Sequence, residues 1–128
     1  MIGIKIYEPN DNADFYIQSA GYNSGRPTRK PLKNCFSVYT NDLRAFTITN
    51  ALFSAKKFKG ALIGSKTPRL RLQDVRHILL TELDKNHNLN EFYPLGLIDL
   101  QIENAIKKVK SLKRLKIFFS LKALRARV

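Results

Sequence analysis

Leu62–Leu80, LIGSKTPRLRLQDVRHILL, changes its periodicity part-way along, and that change decides the fold class. Gly64 and Ser65 break the apolar run that leads into it. Pro68 disfavours helical angles at Thr67 and pushes it toward extended ones. Arg69 and Arg71 then alternate with Leu70 and Leu72, a period of two that puts both arginines on one face. From Gln73 or Asp74 onward the apolar positions Val75, Ile78 and Leu79 fall three and four apart, which predicts a helix over 73–81. A turn followed by a short extended segment and a helix reads as α+β. It also presents Lys66, Arg69 and Arg71 on one exposed edge, an arrangement that suits a polyanion.

Working back from this stretch, Asn34–Thr40 (NCFSVYT) is β-branched and aromatic and predicts a strand. Thr40 or Asn41 would cap a helix over 42–57, with Leu43, Phe46, Ile48, Leu52 and Phe53 as its apolar positions. Lys56, Lys57 and Lys59 would complement its C-terminus, and Gly60 would stop it. Gly21–Lys33, GYNSGRPTRKPLK, holds two glycines and two prolines and reads as a long loop bearing Arg26, Arg29, Lys30 and Lys33, with Tyr22 available for stacking. Its spacing fits neither GxxxxGK[ST] nor GxGxxG, so it is not a nucleotide cradle. Strands are predicted over 2–7, from the alternation of Ile2, Ile4 and Ile6, and over 15–20, with EPNDNAD as turn chemistry between them.

Forward of the opening stretch, TELDKNHNLNEFYPLG reads as a loop with at most one helical turn. A long helix is predicted from Leu97, where Ile98, Ile102, Ala105, Val109 and Leu112 are spaced 4, 3, 4 and 3. The boundaries are thus an α+β domain over 1–96 and a basic amphipathic helical extension over 97–128. The sheet would comprise 2–7, 15–20 and 34–40, with 69–72 as a candidate fourth strand.

Of the 128 residues, 44% are hydrophobic, enough for a core and too many for a disordered chain. The apolar runs are too short to cross a bilayer and the N-terminus lacks a signal pattern. The single cysteine, Cys35, allows no internal disulfide and reads as a buried small hydrophobe. Together these point to a reducing, cytoplasmic setting in a host cell or a virion.

The net charge of +13 is distributed in blocks. Residues 26–71 hold eleven basic groups against Asp42 alone, and residues 107–128 hold nine with no acid. The segments between and before them are mildly acidic. Two basic blocks make patches, and patches attract phosphate backbones through counterion release. An acidic protein partner and an anionic membrane surface are the competing readings; the basic, amphipathic segment RLKIFFSLKALRARV fits the latter as well.

No catalytic constellation stands out. His77 and His87 are not set in an HxxxH, CxxC or Cys/His cluster, no GxSxG elbow is present, and Asp74, Glu82, Asp84 and Glu91 do not fall into a nuclease signature. Neither a metal nor a cofactor is expected.

Two resemblances follow from particular residues. FYIQSAGYNSGRP (15–27), NCFSVYT (34–40) and LIGSKTPRLRLQDVR (62–76) resemble a family of small uncharacterised proteins of Bacteroidetes genomes and their mobile elements or phages. Residues 36–80, with the helix DLRAFTITNALFSAKKF and the turn IGSKTPRLRLQDVRHIL, are similar to the closing part of the target-recognition domain of type I restriction specificity subunits. That resemblance implies a non-catalytic domain that reads DNA, places Lys66, Arg69 and Arg71 near the DNA, and makes the helix after 97 a counterpart of the spacer. LLTELDKN stands where those domains carry a proline-rich stretch.

The reading is a non-catalytic nucleic-acid-binding protein, with DNA as the expected partner. Its contacts would be Arg26, Arg29, Lys30, Lys33, Lys66, Arg69 and Arg71, joined by Lys107, Lys110, Lys113 and Arg114 of the last helix. The alternative is a protein-binding module, an anti-defence protein or virion component whose basic face meets an acidic partner. A protein partner through the C-terminal helix is compatible with either.

Overall fold

The computed structural model describes residues 2–125, apart from the side chain of Leu89. The chain divides into two compact units, Met1–Leu89 and Asn90–Val128. The first carries strands β1 (Ile2–Ile6), β2 (Phe15–Gln18), β3 (Pro27–Thr28) and β4 (Cys35–Thr40), then helices α1 (Arg44–Ser54) and α2 (Leu72–Leu83). The second is built on one helix, α3 (Tyr93–Arg125).

The sheet has the order β1-β4-β2-β3 and every pairing is antiparallel. Alternation sets its faces. Ile4 pairs with Val38, which also pairs with Phe15, and Ile17 pairs with Phe36, so these side chains share one face. All five are buried, and α1 and α2 pack over them with Ala45, Ile48, Leu52, Val75 and Leu79. Each such burial contributes about 1.5–3 kcal/mol for a large aliphatic or aromatic side chain.

The topology also explains the second face. β1 and β2 flank β4 and both run antiparallel to it, so the chain between them has to cross β4. It crosses on the side carrying Lys5, Ser37 and Tyr16, one row of paired residues. Asp11 holds it there. Its carboxylate accepts from Ser37 Oγ at 3.1 Å and pairs with Lys5 Nζ at 3.1 Å, while Tyr16 Oη donates to its carbonyl at 3.1 Å. Ser37 is thereby buried with its hydrogen bond made.

The α+β class and strands within 2–7, 15–20 and 34–40 are as the sequence predicts. Several details differ from expectation, each for a tertiary or backbone reason. Residues 69–72 do not form a strand: Arg69 makes only isolated bridges to Ala20 and Ile63, and Leu72 already starts α2. The loop 21–33 contains β3, whose two residues pair with Tyr16 and Ile17 of β2. The first helix is shorter than 42–57. Asp42, rather than Thr40 or Asn41, serves its N-terminus by accepting from Arg44 N at 2.9 Å. At the other end Lys57 N donates to Leu52 O and Lys56 N to Phe53 O, a Schellman closure. Lys56 takes the left-handed position at φ 61°, at a cost of roughly 1 kcal/mol, so the lysines lie beyond the helix and Gly60 is not its stop.

In the second unit α3 begins at Tyr93, four residues before the expected Leu97. Pro94 is compatible with this because the first helical turn has no intrahelical acceptor for its missing N–H. With 33 residues the helix is about 50 Å long. No residue of α3 is buried. The last part of the expected basic tail, Ala126, Arg127 and Val128, lies outside the described residues.

Candidate nucleic-acid interface

The two basic stretches of the first unit, residues 21–33 and 62–71, are joined through their backbones. Beyond β2 the chain runs beside the segment that precedes α2: Leu70 N donates to Ser19 O at 2.8 Å and Gly21 N to Pro68 O at 2.7 Å. Ala20 bridges Arg69 on one side, and Ile63 bridges it on the other with reciprocal hydrogen bonds of 2.9 Å. Leu70 is buried, so its neighbours Arg69 and Arg71 point to solvent, as the period of two requires.

The tip of this ribbon, Gly64–Pro68, carries Lys66. Gly64 adopts φ +93°, and a Cβ there would meet the Thr67 carbonyl at 2.9 Å, so the turn depends on glycine at that position. Gly25 has a similar role in the neighbouring loop. Its φ is +99° and a Cβ would fall 2.4 Å from Phe58 Cδ2, so the loop seats directly on that buried ring. Phe58 lies between Lys57 and Lys59, and this contact brings a third basic segment up to the other two.

The segment after α1, the start of the ribbon and the first turns of α2 border a depression of about 400 Å³, lined by Lys57, Gly60–Ile63, Arg71, Asp74, His77 and Ile78; the 21–33 loop is not part of its lining. Arg71 Nε donates to Asp74 Oδ2 at 2.9 Å. Arg71 is well exposed, and a surface pair of this kind is worth about 0–1 kcal/mol, so a phosphate can replace Asp74 as its partner at little cost. Beside the ribbon, Tyr22 is 89% exposed and free to stack on a base.

The expected contact residues divide into three groups. Arg26, Lys33, Lys66, Arg69 and Arg71 belong to the joined segments. Arg26 donates to Gln18 Oε1 at 3.2 Å, and Lys33 precedes Asn34, whose carbonyl accepts from Ser19 N. Arg29 and Lys30 are carried away from them. Thr28 pairs with Tyr16, four residues along β2 from Ala20, which is about 13 Å of strand. Arg29 stacks its guanidinium over Phe46 of α1, 3.8 Å from the ring centre, and stays exposed. Lys107, Lys110, Lys113 and Arg114 are exposed on α3, in the second unit.

Pattern alone does not single out Lys57 or His77 as site residues. Lys57 reads as a helix-end cation until the Schellman closure at Lys56 is seen to release it. His77 reads as one more residue of α2, and only the fold brings it opposite Lys57.

Two carboxylates outside the interface have clear electrostatic settings. The backbone N–H of Glu8, with Lys5 and Ser37, holds Asp11 below the ordinary carboxylate range. Arg44 does the same for Asp42 through a two-pronged contact. Burial pushes the Cys35 thiol up. Among the described residues no three His, Cys, Asp or Glu side chains come together, and no helix is long and apolar enough to cross a membrane.

Residues 4–122, nearly the whole chain, match a family described as "Family of unknown function (DUF6943)". The chain belongs to the DUF6943 family. Comparisons with curated proteins and with solved structures find no match. The match spans both units of this DUF6943 protein, the basic ribbon and most of α3 included. An uncharacterised family is what the resemblance of residues 15–27, 34–40 and 62–76 leads one to expect.

Proposed function

We propose that this chain is a non-catalytic nucleic-acid-binding protein of a phage or mobile element, and that the joined ribbon of its first unit is the contact surface. One observation carries the reading. Backbone hydrogen bonds and glycine-dependent packing hold Lys66, Arg69 and Arg71 of one ribbon beside Lys57 of a second segment and the exposed Tyr22 of a third. Lysine and arginine on fixed backbone neutralise phosphates and set register, and an arginine at the edge can reach a base. Tyr22 adds stacking that is tolerant of sequence. It is proposed as non-catalytic because the resemblance of residues 36–80 to a target-recognition domain implies a domain that carries no catalysis. The resemblance of residues 36–80 to a target-recognition domain favours DNA over RNA, and the resemblance to mobile-element proteins supplies the biological setting.

The test is a titration of fluorescent duplex and single-stranded DNA with the full chain at two salt concentrations. Affinity falling by roughly a thousandfold between about 50 and 200 mM salt is expected if six or so phosphates are neutralised. Absence of binding at the lower salt overturns the proposal.

A further inference from the structure

Helix α3 carries an apolar seam longer than the sequence spacing first suggests. Because the helix is continuous from Tyr93, the seam starts at Leu95 and continues through Ile98, Ile102, Ala105, Val109 and Leu112 at alternating steps of three and four. Lys116 and Phe119 extend the same repeat. This is the a/d pattern of a coiled coil over more than three heptads. Its apolar members are about half exposed: Ile102 51%, Leu112 56%, Phe119 58%. A seam of this length and spacing is shaped for another helix of the same periodicity.

We infer that the seam is occupied by α3 of a second copy of this chain, running antiparallel. Charge along the helix decides both the partner and its direction. Asp99 and Glu103 lie in the first part and every lysine and arginine of the helix lies from Lys107 onward. A parallel, in-register pair would oppose Lys116 to Lys116 inside the seam and Lys108 to Lys113 on both flanks, with the two basic halves side by side. An antiparallel pair with Ile102 opposite Leu112 and Ala105 opposite Val109 uses the whole seam, Leu95 meeting Phe119. It sets Asp99 beside Lys113 at both ends. Each Lys116 faces Ile98, roughly 27 Å along the axis from its counterpart, where solvent screens the pair. Lys108 meeting its own counterpart at the centre is the one close like-charge approach. The outer face of each helix then keeps Lys107, Lys110 and Arg114 in water. This inference does not rest on nucleic-acid binding and is tested without nucleic acid.

Sedimentation equilibrium of the full chain should show a dimer at micromolar concentration. Ile102→Asp with Leu112→Asp should shift it to monomer and leave the unfolding transition of the first unit unchanged, since neither residue is buried within the chain. Direction is read by oxidation of variants with one introduced cysteine each, native Cys35 being buried. A mixture of Leu95→Cys and Phe119→Cys should cross-link, whereas Leu95→Cys by itself should not. A monomer at every concentration overturns the inference, and a monomer that binds anionic vesicles assigns the seam to a lipid surface instead. Cross-linking of Leu95→Cys to itself overturns the antiparallel arrangement.

Discussion

In the first unit Ile17, Val38, Ala45, Val75 and Leu79 are fully buried, whereas in α3 Ile102, Val109, Leu112 and Leu115 are all about half exposed. The same residue types serve opposite ends. In the sheet unit they fix a backbone, and that backbone then brings together cations drawn from residues 57 to 71. In α3 position follows from the helical repeat alone, so cations and apolar groups are sorted onto faces without any tertiary contact. A site of the first kind depends on the core beneath it. A site of the second kind depends on what pairs with the helix.

The sharpest way to break this contrast is at Phe58. Phe58→Ala should cost about 3–5 kcal/mol of unfolding free energy in urea, because the ring is buried and supports Gly25. Leu112→Ala should leave the same transition within about 0.5 kcal/mol. Equal losses would mean that α3 helps to hold the first unit together.

Gly25→Ala comes next. A left-handed backbone costs an alanine about 1–2 kcal/mol, and the close approach to Phe58 adds to it, so a loss of at least about 2 kcal/mol is expected. Gly64→Ala suffers the same backbone penalty at an exposed turn. With the 2.9 Å approach to the Thr67 carbonyl added, it should destabilise by at least about 1–2 kcal/mol while reducing DNA affinity through displacement of Lys66.

A smaller effect separates the two faces of the sheet. The folded state holds the Asp11 carboxyl below its ordinary value of 3.8, chiefly through the Glu8 N–H and then through Lys5 and Ser37. A depressed folded value means that this stabilisation is present above the ordinary value and lost as pH falls through the folded one. Asp11→Asn should therefore lower the urea midpoint at roughly pH 7 and make little difference at roughly pH 2. A pH-independent difference would place the role of Asp11 in its geometry alone.

The parts of this molecule that could be read from sequence are those governed by local repeats. Ile2–Ile6 and Cys35–Thr40 alternate or are β-rich, and α3 shows its seam at three and four. Arg69 and Arg71 reach solvent because Leu70 goes inward, which the period of two already implies. The rest is set by contacts across the chain. β3 exists because Pro27 and Thr28 find β2, not because of their own propensity. The bridge from Ala20 to Arg69 stands in for the expected fourth strand. Arg29 reads as a residue of a basic loop, and only the fold shows that its guanidinium lies over Phe46. Lys57 looks like a helix-end charge, yet the closure at Lys56 turns the chain so that it meets Arg71 and His77 around one depression.

The central claim is that the ribbon of the first unit is the polyanion surface. Its most direct test compares the salt dependence of DNA affinity for the unaltered chain and for a variant with Lys57, Lys66, Arg69 and Arg71 all replaced by alanine. Each lost phosphate contact reduces the slope of log affinity against log salt by about 0.9 for duplex DNA, so the slope should become shallower by roughly 3 to 4. A variant that keeps both the affinity and the slope of the unaltered chain would contradict the claim.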